Sequence, residues 1–228
     1  MRWLVVEEFK SFIRSVPQPD KVAVIGGTLN DPEVVELKLL FPDIKISYLG
    51  IDNESNDIDF RYFDLNLLSN VGQTFTLVIC SQVLEHIHDL ENGFKNLTDL
   101  VDKNLGFLWI NCPSSNMSHG SPDFYSSGYS QELIERYLMR NSFKSIKSGY
   151  FVSKRYHFMT NSLRFWATEY EHNHPVLGYK FKPGSVLGIL NKYRREKLWR
   201  FISILFSKKI RKDLKFATEV FAVAAYVK

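Results

Sequence analysis

Cysteine is scarce in this sequence and long apolar runs are missing, and each absence excludes a class of protein. The 228 residues contain two cysteines, Cys80 and Cys112, too few for a disulfide framework and without the paired spacing of a structural metal site. No apolar stretch approaches the roughly 20 residues that a membrane-spanning helix needs. The first apolar run ends at Glu7 and Glu8, which is not the pattern of a signal peptide. We therefore expect a protein of the reducing cytoplasm in which both cysteines are buried free thiols.

Basic residues are concentrated in one segment. The formal charge is +4, but residues 191–216 contain ten Lys or Arg against two acids, so the remaining chain carries a net negative charge. The segment has the pattern of a basic amphipathic helix, which can lie on an anionic membrane or bind phosphates. The alternative is a helix packed over the protein with its Lys and Arg in solvent. Nucleic-acid binding is disfavoured because no base-reading motif accompanies the charge.

Strand-like and helix-like patterns alternate along most of the chain. Apolar runs of strand length lie at 21–25, 44–51, 58–63, 75–80, 105–111, 146–152 and 220–227. Helical patterns lie at 3–14, 31–40, 89–101 and 130–141. This alternation predicts an α/β fold with a doubly wound, Rossmann-like, mostly parallel sheet. We expect one domain, divided into an N-terminal helix (1–16), a core (20–152), a helical basic insertion (153–216) and a last strand (217–228).

Glycine or aspartate follows each of the first three strands, whose ends meet at one edge of a parallel sheet. Gly26 and Gly27 allow a ligand to approach the backbone closely. Asp52, about 25 residues further on, has two acceptor oxygens for the hydroxyls of a ribose. Asp64 can accept a hydrogen bond from an adenine amino group, with Leu65 supplying a backbone N–H. Each residue alone is also typical of a turn, but their order predicts an adenosyl cofactor site.

The sequence SQVLEH at residues 81–86, directly after the fourth strand, resembles the corresponding motif of class I S-adenosylmethionine-dependent methyltransferases. The resemblance covers residues 20–152 and the last strand. It implies a seven-stranded sheet whose last strand is antiparallel, with S-adenosylmethionine as the cofactor. It also implies that Ser81 and Gln82 flank the methionine half of the cofactor. Glu85 and His86 would open a helix beside the reaction centre, where His86 contacts the acceptor.

The glycine motif departs from the family pattern at one position. Val24 stands where the family usually has an acid that helps to orient the amino-acid portion of the cofactor, and Asn30 or Asp31 could replace that acid. Two other functions therefore stay open. One is a catalytically silent methyltransferase-like subunit that binds a partner through the basic segment. The other is a nicotinamide-dependent enzyme, because a Gly-Gly-Thr turn followed by Asp52 also resembles a dinucleotide site.

The loop at residues 111–125 is predicted to bind the acceptor, because it is polar and follows the fifth strand at the same edge of the sheet. An imidazole titrates near neutral pH, so His119 is the predicted catalytic base, while Asp123 and Tyr125 are predicted acceptor contacts. A purely structural role for His119 is the alternative, and no full set of metal ligands accompanies it. The pattern HGSPDFY at 119–125 resembles methyltransferases of polysaccharide and glycan pathways. It implies a small hydroxylated acceptor, such as a sugar, a sugar nucleotide or a lipid-linked glycan at a membrane surface.

Overall fold

The computed structural model describes residues 2–52, 59–68, 71–114, 125–151 and 219–227. The insertion predicted at 153–216 lies outside these residues. The helices are α1 (Arg2–Ser15), α2 (Pro32–Leu40), α3 (Leu90–Asp99) and α4 (Gln131–Arg140), with one 3-10 turn at Leu84–His86. The strands are β1 (Lys21–Ile25), β2 (Lys45–Gly50), β3 (Phe60–Tyr62), β4 (Leu77–Ser81), β5 (Phe107–Pro113), β6 (Phe143–Phe151) and β7 (Glu219–Tyr226).

All seven strands form one sheet in the order β3-β2-β1-β4-β5-β7-β6. Strands β1 to β5 are parallel, and β7 runs antiparallel between β5 and β6. The predicted seven-stranded, mostly parallel sheet with an antiparallel last strand is therefore confirmed. The chain moves outward from β1 to β3 and then crosses to the other side of β1 to form β4. Open α/β sheets bind their ligands at such a switch point, outside the carboxyl ends of the strands.

Alternate side chains of each strand face opposite layers of the core, and one layer is built on α1 and α2. We call this side of the sheet the α2 face. Val24 of β1 and Ile79 of β4 lie on it and belong to the same buried cluster as Leu37 of α2. Trp109 of β5 is fully buried there, with its ring centroid 5.1 Å from that of Phe9 in α1. This packing fixes α2 beneath the ends of β1 and β4.

Strand β5 lies two residues later than the sequence predicts, at Phe107–Pro113 instead of 105–111. The Oδ1 atom of Asp102 accepts the backbone N–H groups of Asn104 at 2.8 Å and Leu105 at 2.9 Å. This turn occupies the predicted start of the strand. Pro113 is the last residue of β5 and lies opposite Glu219 at the end of the ladder. A proline at a strand terminus removes no interior hydrogen bond.

The segment after β4 differs from what the resemblance implies, whereas α3 agrees with the helical pattern at 89–101. No helix opens at Glu85 and His86, which form a single 3-10 turn that Ile87 ends in an extended conformation. Helix α3 begins at Leu90, where the side chain of Asp89 accepts the N–H of Asn92 at 3.0 Å. Asp89 is a strong N-cap, so the helix starts at the cap and not at the end of the strand.

Strand β6 begins at Phe143, three residues before its predicted start. Ser142, with φ of 61°, turns the chain directly from the end of α4 into the strand. The strand contains a bulge between Ser145 and Lys147 and lies at the edge of the sheet. Polar residues are tolerated on an edge strand, which is why the apolar pattern failed to mark its start.

Two buried tyrosines differ in whether the hydroxyl has a hydrogen-bond partner, and this predicts opposite effects of the same substitution. Tyr48 and Tyr150 are each 2% exposed. The Tyr48 hydroxyl has no partner among the described residues, and burial, with the charge of Asp31, raises its pKa to about 12. The Tyr150 hydroxyl accepts the N–H of Gln131 at 2.6 Å and donates to Glu132 at 3.1 Å.

Tyr150→Phe is expected to lower the free energy of unfolding by about 1–3 kcal/mol, because it removes two part-buried hydrogen bonds, one of them to a carboxylate. Tyr48→Phe is expected to leave it unchanged or to raise it by up to about 1 kcal/mol, because a hydroxyl without a partner costs free energy on burial. Chemical denaturation of both variants measures the two effects. Equal losses in the two variants would contradict this assignment of partners.

Candidate functional site

Gly26 lies at the centre of the carboxyl edge of the sheet. Its backbone N–H donates to the carbonyl of Leu49 at 2.8 Å, and its φ of 60° is in the left-handed region that favours glycine. A Cβ on Gly26 would lie 3.0 Å from Cγ2 of Val83, and a Cβ on Gly50 would lie 3.7 Å from the Cα of Gly26. The ends of β1, β2 and β4 thus converge on a bare backbone at the switch point, as a nucleotide site requires.

The turn after Gly26 is closed by a carboxylate. The Oδ2 atom of Asp31 accepts the N–H of Thr28 at 3.1 Å. A Cβ on Gly27 would lie 2.5 Å from that Oδ2 atom and 2.6 Å from Cγ1 of Val24, so only glycine fits. Asp31 stands at the predicted N-cap position of α2, but its side chain makes no capping hydrogen bond. It stabilises the glycine turn instead.

The structure places the two predicted aspartates at neighbouring strand ends. Asp52 is exposed, two residues after β2, and its carboxylate makes no hydrogen bond or ion pair with any described residue. Asp64 is half-buried, and its Oδ1 atom accepts the backbone and side-chain N–H groups of Asn66 at 2.9 Å and 3.2 Å. Leu65 packs its side chain into the core. Asp52 is therefore fully available to a ligand, whereas one oxygen of Asp64 already holds a turn.

Ser81, at the end of β4, is hydrogen-bonded to a buried acid that the sequence did not reveal as a site residue. Its hydroxyl donates to Oε1 of Glu33 at 2.9 Å. Glu33, in the first turn of α2, is only 1% exposed, and its Oε2 atom has no hydrogen-bond partner within the described parts of the chain. Helical spacing could have identified Glu33 in the sequence. It lies four residues before the fully buried Leu37 and therefore on the inner face of α2.

Gln82 is held in a left-handed conformation, with φ of 58°, by a buried polar network. Its backbone N–H donates to the carbonyl of Asn111 at 2.7 Å, and its Nε2 atom donates to Oδ1 of Asn111 at 2.8 Å. Asn111 is fully buried and donates in turn to the carbonyl of Val220 at 3.1 Å and to Oε2 of Glu219 at 3.3 Å. The network joins β4, β5 and β7 beneath the predicted methionine site, and sequence reasoning missed it.

The turn at Leu84–His86 meets the far end of the predicted acceptor loop. Glu85 is fully buried, and its carbonyl accepts the N–H groups of Tyr125 at 2.9 Å and Ser126 at 3.2 Å. Tyr125 is exposed, with its ring 5.5 Å from that of His88, and His86 is half-buried in the same turn. The structure thus brings His86 and Tyr125 to one place. His119 and Asp123 lie outside the described residues.

Both cysteines are buried free thiols, as predicted. Burial, with a smaller contribution from the Glu85 carboxylate, raises the pKa of the Cys80 thiol. Burial raises the pKa of the Cys112 thiol well above its usual value, again with a smaller contribution from Glu85. Because a thiol must ionise to act as a nucleophile or metal ligand, both are inert packing groups at neutral pH.

Other sites are less suited to the predicted chemistry. A groove of about 290 Å³ lies at the opposite edge of the sheet, where Asp20, Thr76 and Phe107 line it at the starts of strands, and it contains no predicted site residue.

Within the described ranges, no three His, Cys, Asp or Glu side chains converge as in a metal site. Nor does any helix of those ranges have the length and apolar character needed to cross a membrane.

No protein-family model matches this sequence, and no curated protein matches it. Solved structures match its fold. The O-methyltransferase from a trans-AT PKS multienzyme of Brevibacillus brevis, in complex with S-adenosyl-L-homocysteine, has a TM-score of 0.58 at 11% identity, over 97% of this chain and 72% of that chain. A proposed sarcosine dimethylglycine methyltransferase from Galdieria sulphuraria has a TM-score of 0.57 at 11% identity, over 96% of this chain and 84% of that chain.

The [4+2]-cyclase SpnF is similar to the same degree, with a TM-score of 0.56 at 10% identity, over 98% of this chain and 81% of that chain. Identities this low establish a shared fold, and they agree with the predicted Rossmann-like architecture. The presence of a cyclase beside two methyltransferases means that this fold supports more than one reaction. Function has to be argued from the site.

Proposed function

We propose that this protein is an S-adenosylmethionine-dependent methyltransferase that acts on a small acceptor molecule. One observation carries the proposal: the bare backbone of Gly26 lies between Gly50 and Val83 at the switch point, with the exposed carboxylate of Asp52 at the neighbouring strand end. An adenosyl group needs close backbone approach and a carboxylate for its ribose hydroxyls. The S-adenosyl-L-homocysteine complex of a protein with the same fold supports this choice of cofactor.

In this proposal Asp52 accepts both ribose hydroxyls, and Gly26 and Gly27 form the backbone turn beside the cofactor. The other proposed cofactor contacts are Asp64 and Leu65 at the adenine, and Ser81 and Gln82 at the methionine half. The buried network around Asn111 supports the last two positions, because it holds Gln82 in a fixed conformation at the strand end. Preorganised contacts of this kind limit the entropy lost on binding.

The proposed reaction is in-line displacement of the methyl group from the sulfonium by an oxygen or nitrogen of the acceptor, with positioning of the two reactants as the main source of acceleration. Tyr125 and His86 would contact the acceptor, since the backbone of Tyr125 is hydrogen-bonded to Glu85, the neighbour of His86 in the turn after β4. His119 is the proposed base, and Asp123 the proposed partner of the acceptor. The polar composition of residues 111–125 supports a hydroxylated acceptor, such as a sugar, a sugar nucleotide or a lipid-linked glycan. Peripheral membrane contact through residues 191–216 belongs to the same proposal.

A catalytically silent binding subunit is the second candidate, and Val24 favours it. The Val24 side chain fills the space beside Gly27 where the resemblance implies an acid. A nicotinamide-dependent enzyme is a weaker third candidate. The antiparallel β7, between β5 and β6, is the feature that the methyltransferase resemblance implies and that argues against a dinucleotide enzyme.

Isothermal titration separates the three candidates. We expect micromolar binding of S-adenosylmethionine and S-adenosylhomocysteine and no binding of the nicotinamide dinucleotide, because the antiparallel β7 is the feature of the sheet that argues against a dinucleotide enzyme. Binding of the nicotinamide dinucleotide alone would replace the proposal with the third candidate. If folded protein binds none of these ligands, the silent subunit becomes the better function.

A further inference from the structure

The hydroxyl of Ser81 is polarised by its partner. A serine hydroxyl has one hydrogen to donate and two acceptor lone pairs. Ser81 donates its hydrogen to Oε1 of Glu33 at 2.9 Å, so towards any other group it can act only as an acceptor. Ser81 is half-buried at the carboxyl end of β4, next to the crevice. It therefore favours a ligand group that donates hydrogen bonds and disfavours a carboxylate.

Glu33 is a buried acid that has no cation beside it among the residues that the structure describes. It is 1% exposed, and within those residues its Oε2 atom has no hydrogen-bond partner and no Lys, Arg or His forms an ion pair with it. Burial of a carboxylate without a counter-charge costs on the order of several kcal/mol, even after the surroundings have relaxed. A positively charged ligand group bound to the Ser81 hydroxyl would offset this cost, because only that hydroxyl would lie between the ligand and the carboxylate of Glu33.

Glu33 lies on the side of the sheet where a ligand at Ser81 would bind. Ser81 follows Ile79 by two residues, so it lies on the α2 face together with Val24 of β1. Glu33 comes from α2 onto this same face, beneath the ends of β1 and β4. The acid on the helix therefore lies on the same side of the sheet as the position where β1 has valine instead of an acid.

We infer that Glu33 and Ser81 form an ammonium subsite, which binds the α-amino group of S-adenosylmethionine. The ammonium donates a hydrogen bond to the Ser81 oxygen and lies within about 6 Å of the Glu33 carboxylate, close enough for opposite charges to attract. This inference rests on the proposed function. It assigns the charge-bearing role to Glu33 and not to Asp31, whose Oδ2 atom holds the glycine turn.

The test compares how one substitution, Glu33→Gln, changes the affinity for two ligands. S-adenosylhomocysteine and its analogue without the α-amino group are titrated into the wild-type protein, Glu33→Gln and Glu36→Gln. Glu36 is a matched control, because it lies in the same helix but already has a cationic partner, Lys10 of α1, at 3.2 Å. Glu33→Gln is expected to lower the affinity for S-adenosylhomocysteine about tenfold or more and to leave that for the deaminated analogue unchanged. Glu36→Gln is expected to change neither.

Two further measurements separate binding from folding. Glu33→Gln is expected to leave the thermal unfolding midpoint unchanged or to raise it, because it removes a buried charge. Ser81→Ala is expected to add little to the loss in the Glu33→Gln background, since the two residues act as one unit. Equal losses for both ligands, or no loss for either, overturn the inference. If the wild-type protein binds neither ligand, the proposed function itself has failed.

Discussion

Asp52→Ala is expected to weaken the binding of S-adenosylhomocysteine about 100-fold while leaving the thermal unfolding midpoint unchanged. A carboxylate that accepts from both ribose hydroxyls makes two charge-assisted hydrogen bonds. Each is worth about 1.5–3 kcal/mol when well shielded and less at an exposed position such as Asp52, and 100-fold corresponds to about 2.7 kcal/mol. The stability is spared because Asp52 is exposed and has no partner within the described residues. Isothermal titration gives the affinity, and differential scanning calorimetry gives the midpoint.

Two variants make this expectation specific. Asp43→Ala removes the same charge from an exposed position before the start of β2, at the opposite end of the strand. It is expected to leave binding unchanged, which excludes a general charge effect. Asp52→Asn keeps one acceptor oxygen and is expected to lose less affinity than Asp52→Ala. An Asp52→Ala variant that binds as tightly as the wild-type protein would remove Asp52 from the ribose site.

The positions of the strand ends could be predicted from the sequence because they depend on local patterns. A buried parallel strand is a continuous apolar run, and the first polar or glycine residue after it marks the carboxyl edge of the sheet. Gly26 and Asp52 were found in this way. The register of β1 on β2, with Ile25 opposite Leu49, then places Gly26 opposite Gly50, two residues before Asp52. The mostly parallel α/β sheet followed from the alternation of strands with helices.

Strand and helix boundaries were less predictable where a side chain competes with the backbone pattern. The Asp102 turn delays β5, although the apolar pattern begins at Leu105. Side-chain to backbone hydrogen bonds of this kind replace the regular pattern over a few residues. Ser142 shows the converse case, because a left-handed residue allows β6 to begin without any loop.

The polar contacts beneath the site could not be predicted, because they join residues that are distant in the sequence. Asn111 and Glu219 are 108 residues apart, and only the antiparallel register of β7 on β5 brings them together. Glu33 and Ser81 are 48 residues apart and meet through the packing of α2 against the sheet. The spacing of Glu33 from Leu37 is the sequence signal that could have identified it. A charged residue at a core position of a helix is a sign of a buried partner or ligand.

Asn111→Ala is expected to lower the free energy of unfolding by about 3–5 kcal/mol. The substitution removes the acceptor of the Gln82 side-chain amide and one donor to the buried Glu219, and buried polar groups that lose a partner cost about 1–3 kcal/mol each, more when charged. It also frees Gln82 from its left-handed conformation, so the affinity for S-adenosylhomocysteine is expected to fall about tenfold. Chemical denaturation and isothermal titration of the same preparation measure both effects.

Asn111→Asp distinguishes the lost hydrogen bonds from the lost volume. The aspartate keeps the shape and can still accept from Gln82, but it places a second carboxylate 3.3 Å from Oε2 of Glu219. Like charges at this distance raise the pKa of one carboxyl in the folded state above its value in the unfolded chain. The folded state then binds a proton that the unfolded state does not, so the stability of the variant rises as the pH falls from 7 towards about 5. Asn111→Ala lacks this carboxyl, and a pH dependence that is the same in both variants would contradict the placement of the side chain of residue 111 beside Glu219.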